Sequence, residues 1–229
     1  MRRLMSWKLA LLWTLCFGLA HSAMAQRPKR QKLMQNPKRI ALVNAGAVDE
    51  DLFKKIHAHL ESNLEVPVRS LSAPAGPTDD LLVQVRTWKA LMTEDDVCFV
   101  VLANSARDVR EYLLLAPDHR WAMVIANAVV PEDGDQNKYL WRLQRLCMRG
   151  VAFLFGMGFS PNARSVNAPC ASLAELDMIG TNFDPPSHDK FLEEAMQRGL
   201  RPEVKEGPRR RRRKAAKSVP STTEPSTAE

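Results

Sequence analysis

Apolar positions along this chain follow two periods, and the changes between them divide it into elements. Runs of consecutive apolar residues at 39–44 (RIALVN), 66–71, 96–102 (DVCFVVL) and 121–130 (WAMVIANAVV) predict buried strands. Between them the apolar residues repeat at helical spacing. Leu52, Phe53, Ile56, Leu60 and Leu64 predict a helix over 49–64, with acids in its first turn. Leu81, Val85, Trp88 and Leu91 predict a second helix up to Met92, with Thr78, ahead of Asp79 and Asp80, as candidate cap. Leu140, Leu143, Leu146, Val151 and Leu154 predict a long helix over 137–158. Two shorter helices are predicted over 172–179 and 186–200, and the segment 72–78, rich in Pro, Ala, Gly and Ser, reads as a loop. Strand, helix, strand, helix, strand, strand, long helix and a loop-rich end together predict one α/β domain over 38–200.

The two ends follow neither period. Arg2, Arg3 and Lys8 precede the apolar stretch LALLWTLCFGLA, which is short for a bilayer span, and Ala23-Met24-Ala25 offers a small-x-small cleavage site. Residues 1–25 are therefore expected to be a signal peptide, with an uncleaved N-terminal anchor as the other reading; no later run is apolar enough for a transmembrane segment. Residues 26–37 read as a flexible basic lead-in, and 201–229 as a disordered tail carrying Arg209, Arg210, Arg211, Arg212 and Arg213. The expected location is outside the cytoplasm, periplasmic or secreted.

Charge changes the picture of the middle. The chain carries +7 overall, but seven of its cations lie in 1–35 and seven more in 207–229. What is left for 36–206 is 19 cations and 24 acids, a net of −5. The basic balance therefore belongs to the ends, and it is no argument for a nucleic-acid surface on the domain. Beyond the leader three cysteines remain, Cys98, Cys147 and Cys170, enough for at most one internal bridge. No C-x-x-C pair offers a compact thiolate metal site.

The end of the long helix and the segment after it read Cys147-Met-Arg-Gly-Val-Ala-Phe-Leu-Phe-Gly-Met-Gly-Phe-Ser-Pro-Asn-Ala-Arg164. This stretch resembles the archaemetzincin signature, H-E-x-x-H-x-x-G-x-x-H followed by a cysteine. Phe155-Gly156-Met157-Gly158 is similar to the family's F-G-L-G, Pro161-Asn162-Ala163-Arg164 to its P-N-x-R, and Ser172-Leu173-Ala174-Glu175-Leu176-Asp177 to its S-L-E-E-V-D. The resemblance extends over 39–198 and implies a zincin-like α/β domain, a mixed twisted sheet packed on the long former active-site helix. On that frame Arg149 stands at the first zinc histidine, Gly150 at the catalytic glutamate, and Phe153 and Phe159 at the other two histidines. Ser160, Ser165, Asp184 and Ser187 stand at the cysteines of the family's second zinc, and Asn167 at the methionine of the turn beneath the metal.

The resemblance thus implies a zinc peptidase fold without zinc ligands, and no cofactor is expected. Arg149 is expected either to reach water or to pair with an acid, and Phe153 and Phe159 to fill the space of the metal. The remaining histidines offer no replacement site: His57 and His59 should point to different faces of one helix, and His119 and His188 fall at loop or helix-start positions. The implied function is an exported, catalytically inactive pseudoprotease that binds a peptide or protein, with Trp121, Met123 and Ile125 as the candidate peptide-binding edge strand. Two other readings stay open. One is hydrolysis by non-standard residues such as Cys170; the other is attachment of the Arg-rich tail to an anionic surface. The tail lacks the interleaved aromatics that base stacking would need.

Overall fold

The computed structural model describes residues 37–74, 80–107 and 111–202. The leader over 1–25, the lead-in up to residue 36, Thr78 and the tail arginines Arg209 to Arg213 lie outside them. Five strands, β1 (Arg39–Asn44), β2 (Val68–Ser72), β3 (Asp96–Ala103), β4 (Leu113–Ala116) and β5 (Trp121–Ile125), form one sheet in the order β2-β1-β3-β5-β4. The first four in that order run parallel, and β4 pairs antiparallel with β5. Five helices complete the domain: α1 (Glu50–Leu64), α2 (Leu81–Lys89), α3 (Gln136–Leu154), α4 (Leu173–Met178) and α5 (Pro185–Gln197). This is the mixed α/β architecture that the chain order predicts.

The continuous apolar runs are explained by burial on both faces. Every residue of β3 and β5 is buried. Ile40, Leu42, Cys98, Val100, Ala122 and Val124 face a core closed by α1, α3 and α5. Their neighbours Ala41, Val43, Phe99, Val101, Met123 and Ile125 face a second core closed by Val85 and Trp88 of α2. Each long helix starts at an aspartate. Asp49 Oδ1 accepts from Leu52 N (2.8 Å), and Asp135 Oδ1 accepts from Asn137 N (2.8 Å) and Lys138 N (3.3 Å). For α2 the cap is Asp80 rather than Thr78, because its side chain accepts from Leu82 N and Val83 N. The long helix ends at Leu154, four residues earlier than predicted. Gly156, at φ +72°, takes the left-handed conformation that lets Met157 N reach back to Ala152 O (3.0 Å).

Three expectations need correction. The apolar run 121–130 is not one strand: it leaves the sheet after Ile125 and continues as a 3-10 turn over Ala126–Val129. The strand at Leu113–Ala116 went unpredicted, although four apolar residues closed by Pro117 mark it. It lies outside β5, so Trp121, Met123 and Ile125 sit on an interior strand, and Met123 and Ile125 are fully buried. Both edges of β5 are used, by β3 and by β4, and the outer edge on this side of the sheet is that of β4. Finally, Arg201, assigned to the tail by composition, forms an ion pair with Glu65 (3.2 Å).

Candidate functional site

The C-terminal half of α3 lies across β5 and β4 and carries the first group of candidate residues. At Gly150 the helix packs directly on the sheet. A Cβ there would lie 3.0 Å from Ala122 Cβ and 3.5 Å from Leu113 Cδ1. Ala122 has no torsion with which to yield, so any side chain at 150 would push helix and sheet apart.

One residue earlier, Arg149 is 6% exposed, and it forms no ion pair with an acid among the described residues. Its Nη1 donates to the carbonyls of Val166 (3.0 Å) and Ala168 (2.5 Å). The guanidinium carbon lies 5.8 Å from the Phe153 ring centre and 5.9 Å from that of Phe159. Cation–π contacts of this kind contribute on the order of 0.5–2 kcal/mol, against several kcal/mol for desolvating a charge. Burial accordingly lowers the Arg149 pKa. Phe153 and Phe159 meet edge to face at 5.4 Å. They do not fill a core position together, since Phe159 is 60% exposed; both rings lie beside the guanidinium.

Arg149 and Phe153 line a cavity of about 270 Å³ together with Glu111, Leu113 and Leu115 around the edge strand, and Cys170, Ala171 and Ser172 from the following loop. Cys170 is half-buried. Burial pushes its thiol pKa up, the Arg149 charge opposes this, and Glu175 adds to the rise. Cys98 and Cys147 are fully buried, and burial pushes the Cys98 thiol up to about 12. All three thiols are unbridged.

The second group is held by the loop after α3 and the start of α5. Ser160, Ser165, Asp184 and Ser187, far apart in sequence, come together there. Ser187 Oγ donates to Asp184 Oδ1 (2.7 Å), and Asp184 N donates to Ser165 Oγ (3.3 Å). Burial works to raise the Asp184 pKa. Hydrogen bonds from the hydroxyls of Ser165, Ser187 and Ser160 overcome it and hold the carboxyl at about 2. The retained motif residues frame this knot. Asn162 N donates to Ser160 Oγ (3.1 Å), Arg164 N to Asn162 Oδ1 (3.0 Å), and Ser165 N to Asn162 O (2.9 Å). Asn167 Nδ2 donates to Gly158 O, while its Oδ1 is buried without a donor among the described residues. Pro161 lines a separate apolar hollow beside Met178 and Ile179.

The histidines lie elsewhere. His57 Nε2 bonds Val68 O (2.8 Å), His59 Nε2 bonds Thr181 O (3.3 Å), His119 is exposed in the turn Pro117–His119, and His188 sits in the first turn of α5. Among the described residues no three His, Cys, Asp or Glu side chains are grouped to hold a metal. A catalytic zinc needs three lone-pair donors at roughly 2.0–2.2 Å. Positions 149, 150, 153 and 159 supply a cation, a hydrogen and two phenyl rings, and the knot supplies one carboxylate and three hydroxyls that already bond it. Neither set fits the ion.

No protein-family model matches the sequence, and no curated protein matches it. Solved structures do. The chain is similar to the archaemetzincin of Methanopyrus kandleri at 17% identity and a TM-score of 0.56, over 71% of this chain and 98% of that one. It is similar to a zinc-dependent peptidase from Methanocorpusculum labreanum (15%, TM-score 0.55, 66% and 99% covered). It is also similar to the archaemetzincin of Archaeoglobus fulgidus, solved with malonate (11%, TM-score 0.52, 66% and 99% covered). The fold is archaemetzincin-like.

Proposed function

We propose that this chain is an exported pseudoprotease, a peptide-binding module that keeps the scaffold of a zinc peptidase and does not hydrolyse. The observation that carries the reading is the buried Arg149 guanidinium on the helix face where the motif expects imidazole. A permanent cation held against two carbonyls repels a divalent ion, and Gly150 offers no carboxylate to take a proton from water. Restoring a glutamate at 150 would meet Ala122.

Hydrolysis by Cys170 has little support. Its thiol is shifted toward the protonated form, and no histidine lines the cavity with it. What survives is a cleft beside a strand edge, the arrangement through which an extended peptide adds to a sheet. The binding edge is then β4, not β5.

Metal analysis of the purified full chain, combined with a broad peptidase assay with added zinc, tests the reading. Less than a tenth of an equivalent of zinc and no cleavage are expected. Stoichiometric zinc, or cleavage that a chelator abolishes, overturns it.

A further inference from the structure

The cavity beside Arg149 is lined by this buried cation and by Glu111, which does not pair with it. Nη1 makes both of the hydrogen bonds of this side chain, to Val166 and Ala168, and Nε and Nη2 have no partner among the described residues. No ion pair among the described residues includes it. Arg142, two turns earlier on the same helix and equally buried, shows how this fold completes an arginine that only holds structure. Its Nε and Nη2 grip both oxygens of Asp177 (2.7 and 2.6 Å), and its Nη1 reaches Val129 O (3.1 Å). Arg149 lacks that carboxylate, and it lines a cavity.

We propose that this cavity takes the free C-terminal carboxylate of an extended peptide. Arg149 Nε and Nη2 supply the paired donors, and the outer edge of β4 pairs with the residues before the terminus. The inference rests on the peptide-binding reading above and adds to it what the ligand must end in.

Three features point to a chain end. A guanidinium fork matches the two oxygens of a carboxylate, and the pair gains strength away from water. An open strand edge beside the cavity suits a carboxylate carried on an extended backbone: Leu113 and Leu115 form one wall, and β4 has no outer partner among the described residues. The space is small, about 270 Å³, and its lining includes Phe153 and the loop residues Cys170, Ala171 and Ser172. It accommodates a terminus better than a chain passing through.

The charges facing the site also set a preference. Glu111 lines the cavity, exposed and not ion-paired with Arg149, and Glu175 lies behind the loop with Oε2 bonded to Ala171 N (2.7 Å). Both disfavour further acids on the ligand, so the terminal carboxylate should be its only negative group near the cleft.

Fluorescence anisotropy on the full chain with an N-terminally labelled pool of uncharged hexapeptides, as free acids and as C-terminal amides, tests this. Free acids should bind at least tenfold more tightly than amides. Arg149→Gln should abolish the difference, and Arg149→Lys should keep a reduced part of it, with folding of each variant checked by circular dichroism. Equal binding of acids and amides overturns the carboxylate assignment and leaves peptide binding standing. So does an internal aspartate that restores the binding of an amide. A rise in affinity on deleting 203–229 would identify the chain's own tail as the occupant and also overturn it. Binding of neither form by the unaltered chain removes the peptide-binding reading itself.

Discussion

Two clusters that the sequence motif assigns to metals have taken opposite forms in this molecule. Around Asp184 three hydroxyls converge on one carboxylate, and neighbouring backbone groups are bonded into the same knot. Around Arg149 a cation is buried with two carbonyls and two rings, part of its donor set unused, beside an open cavity. A polar cluster that satisfies itself stabilises the loops that build it and has nothing left for a ligand. One that keeps donors free beside an open cavity retains the means to hold a ligand. On the proposed reading, the contrast separates a structural replacement from a ligand-binding one.

The comparison can be broken most sharply at Gly150. Gly150→Glu should destabilise the chain by about 3 kcal/mol, from overpacking against Ala122 and the burial of a carboxylate. Urea unfolding measures this, and added zinc should recover none of it. If the variant is as stable as the parent and zinc raises its melting temperature, the Arg149 side is still a metal site.

Asp184→Ala should cost about 2 kcal/mol in the same experiment, because it strands the buried hydroxyls of Ser160 and Ser165. A neutral outcome would mean the knot is not what holds the loop.

The knot also predicts a pH dependence. The folded Asp184 pKa of about 2 lies below the ordinary 3.8, so its contribution is fully present above pH 3.8 and is lost as pH falls toward 2. The stability gap between the parent and Asp184→Asn should therefore narrow over that interval, and a gap independent of pH would contradict the assignment.

Arg149→Met should stay within about 1 kcal/mol of the parent, since losing the hydrogen bonds to Val166 and Ala168 is offset by relief of a buried, uncompensated charge. A loss comparable to that at Asp184 would place Arg149 among the structural arginines beside Arg142. The smallest effect belongs to Glu111→Gln, expected to tighten the binding of free-acid peptides about twofold to threefold by removing a repelling charge at the cavity, as read by anisotropy.

Much of the scaffold was legible before any coordinates. The helical spacing of Leu52, Phe53, Ile56, Leu60 and Leu64 gave the buried face of α1, and Asp49 and Ser172 stand at helix starts as caps. Gly156 turns the chain after the long helix at positive φ. Ser160, Ser165, Asp184 and Ser187, which the resemblance sets at the second metal, lie together in the structure. The edge of the sheet was not legible. An apolar run such as 121–125 indicates burial on both faces but names no neighbours, and the four-residue strand that covers it was too short to stand out.

Local chemistry was thus determined by the sequence alone: periodicity and capping groups act within a few residues, and a side chain without a lone pair cannot bind a metal in any fold. The tertiary structure alone decided which strand lies at the edge, that Arg149 rests on two carbonyls rather than on an acid, and that Gly150 is pressed against Ala122. Each of these depends on which segments become neighbours, and that is fixed by packing the whole sheet and its helices at once, not by any stretch of the chain.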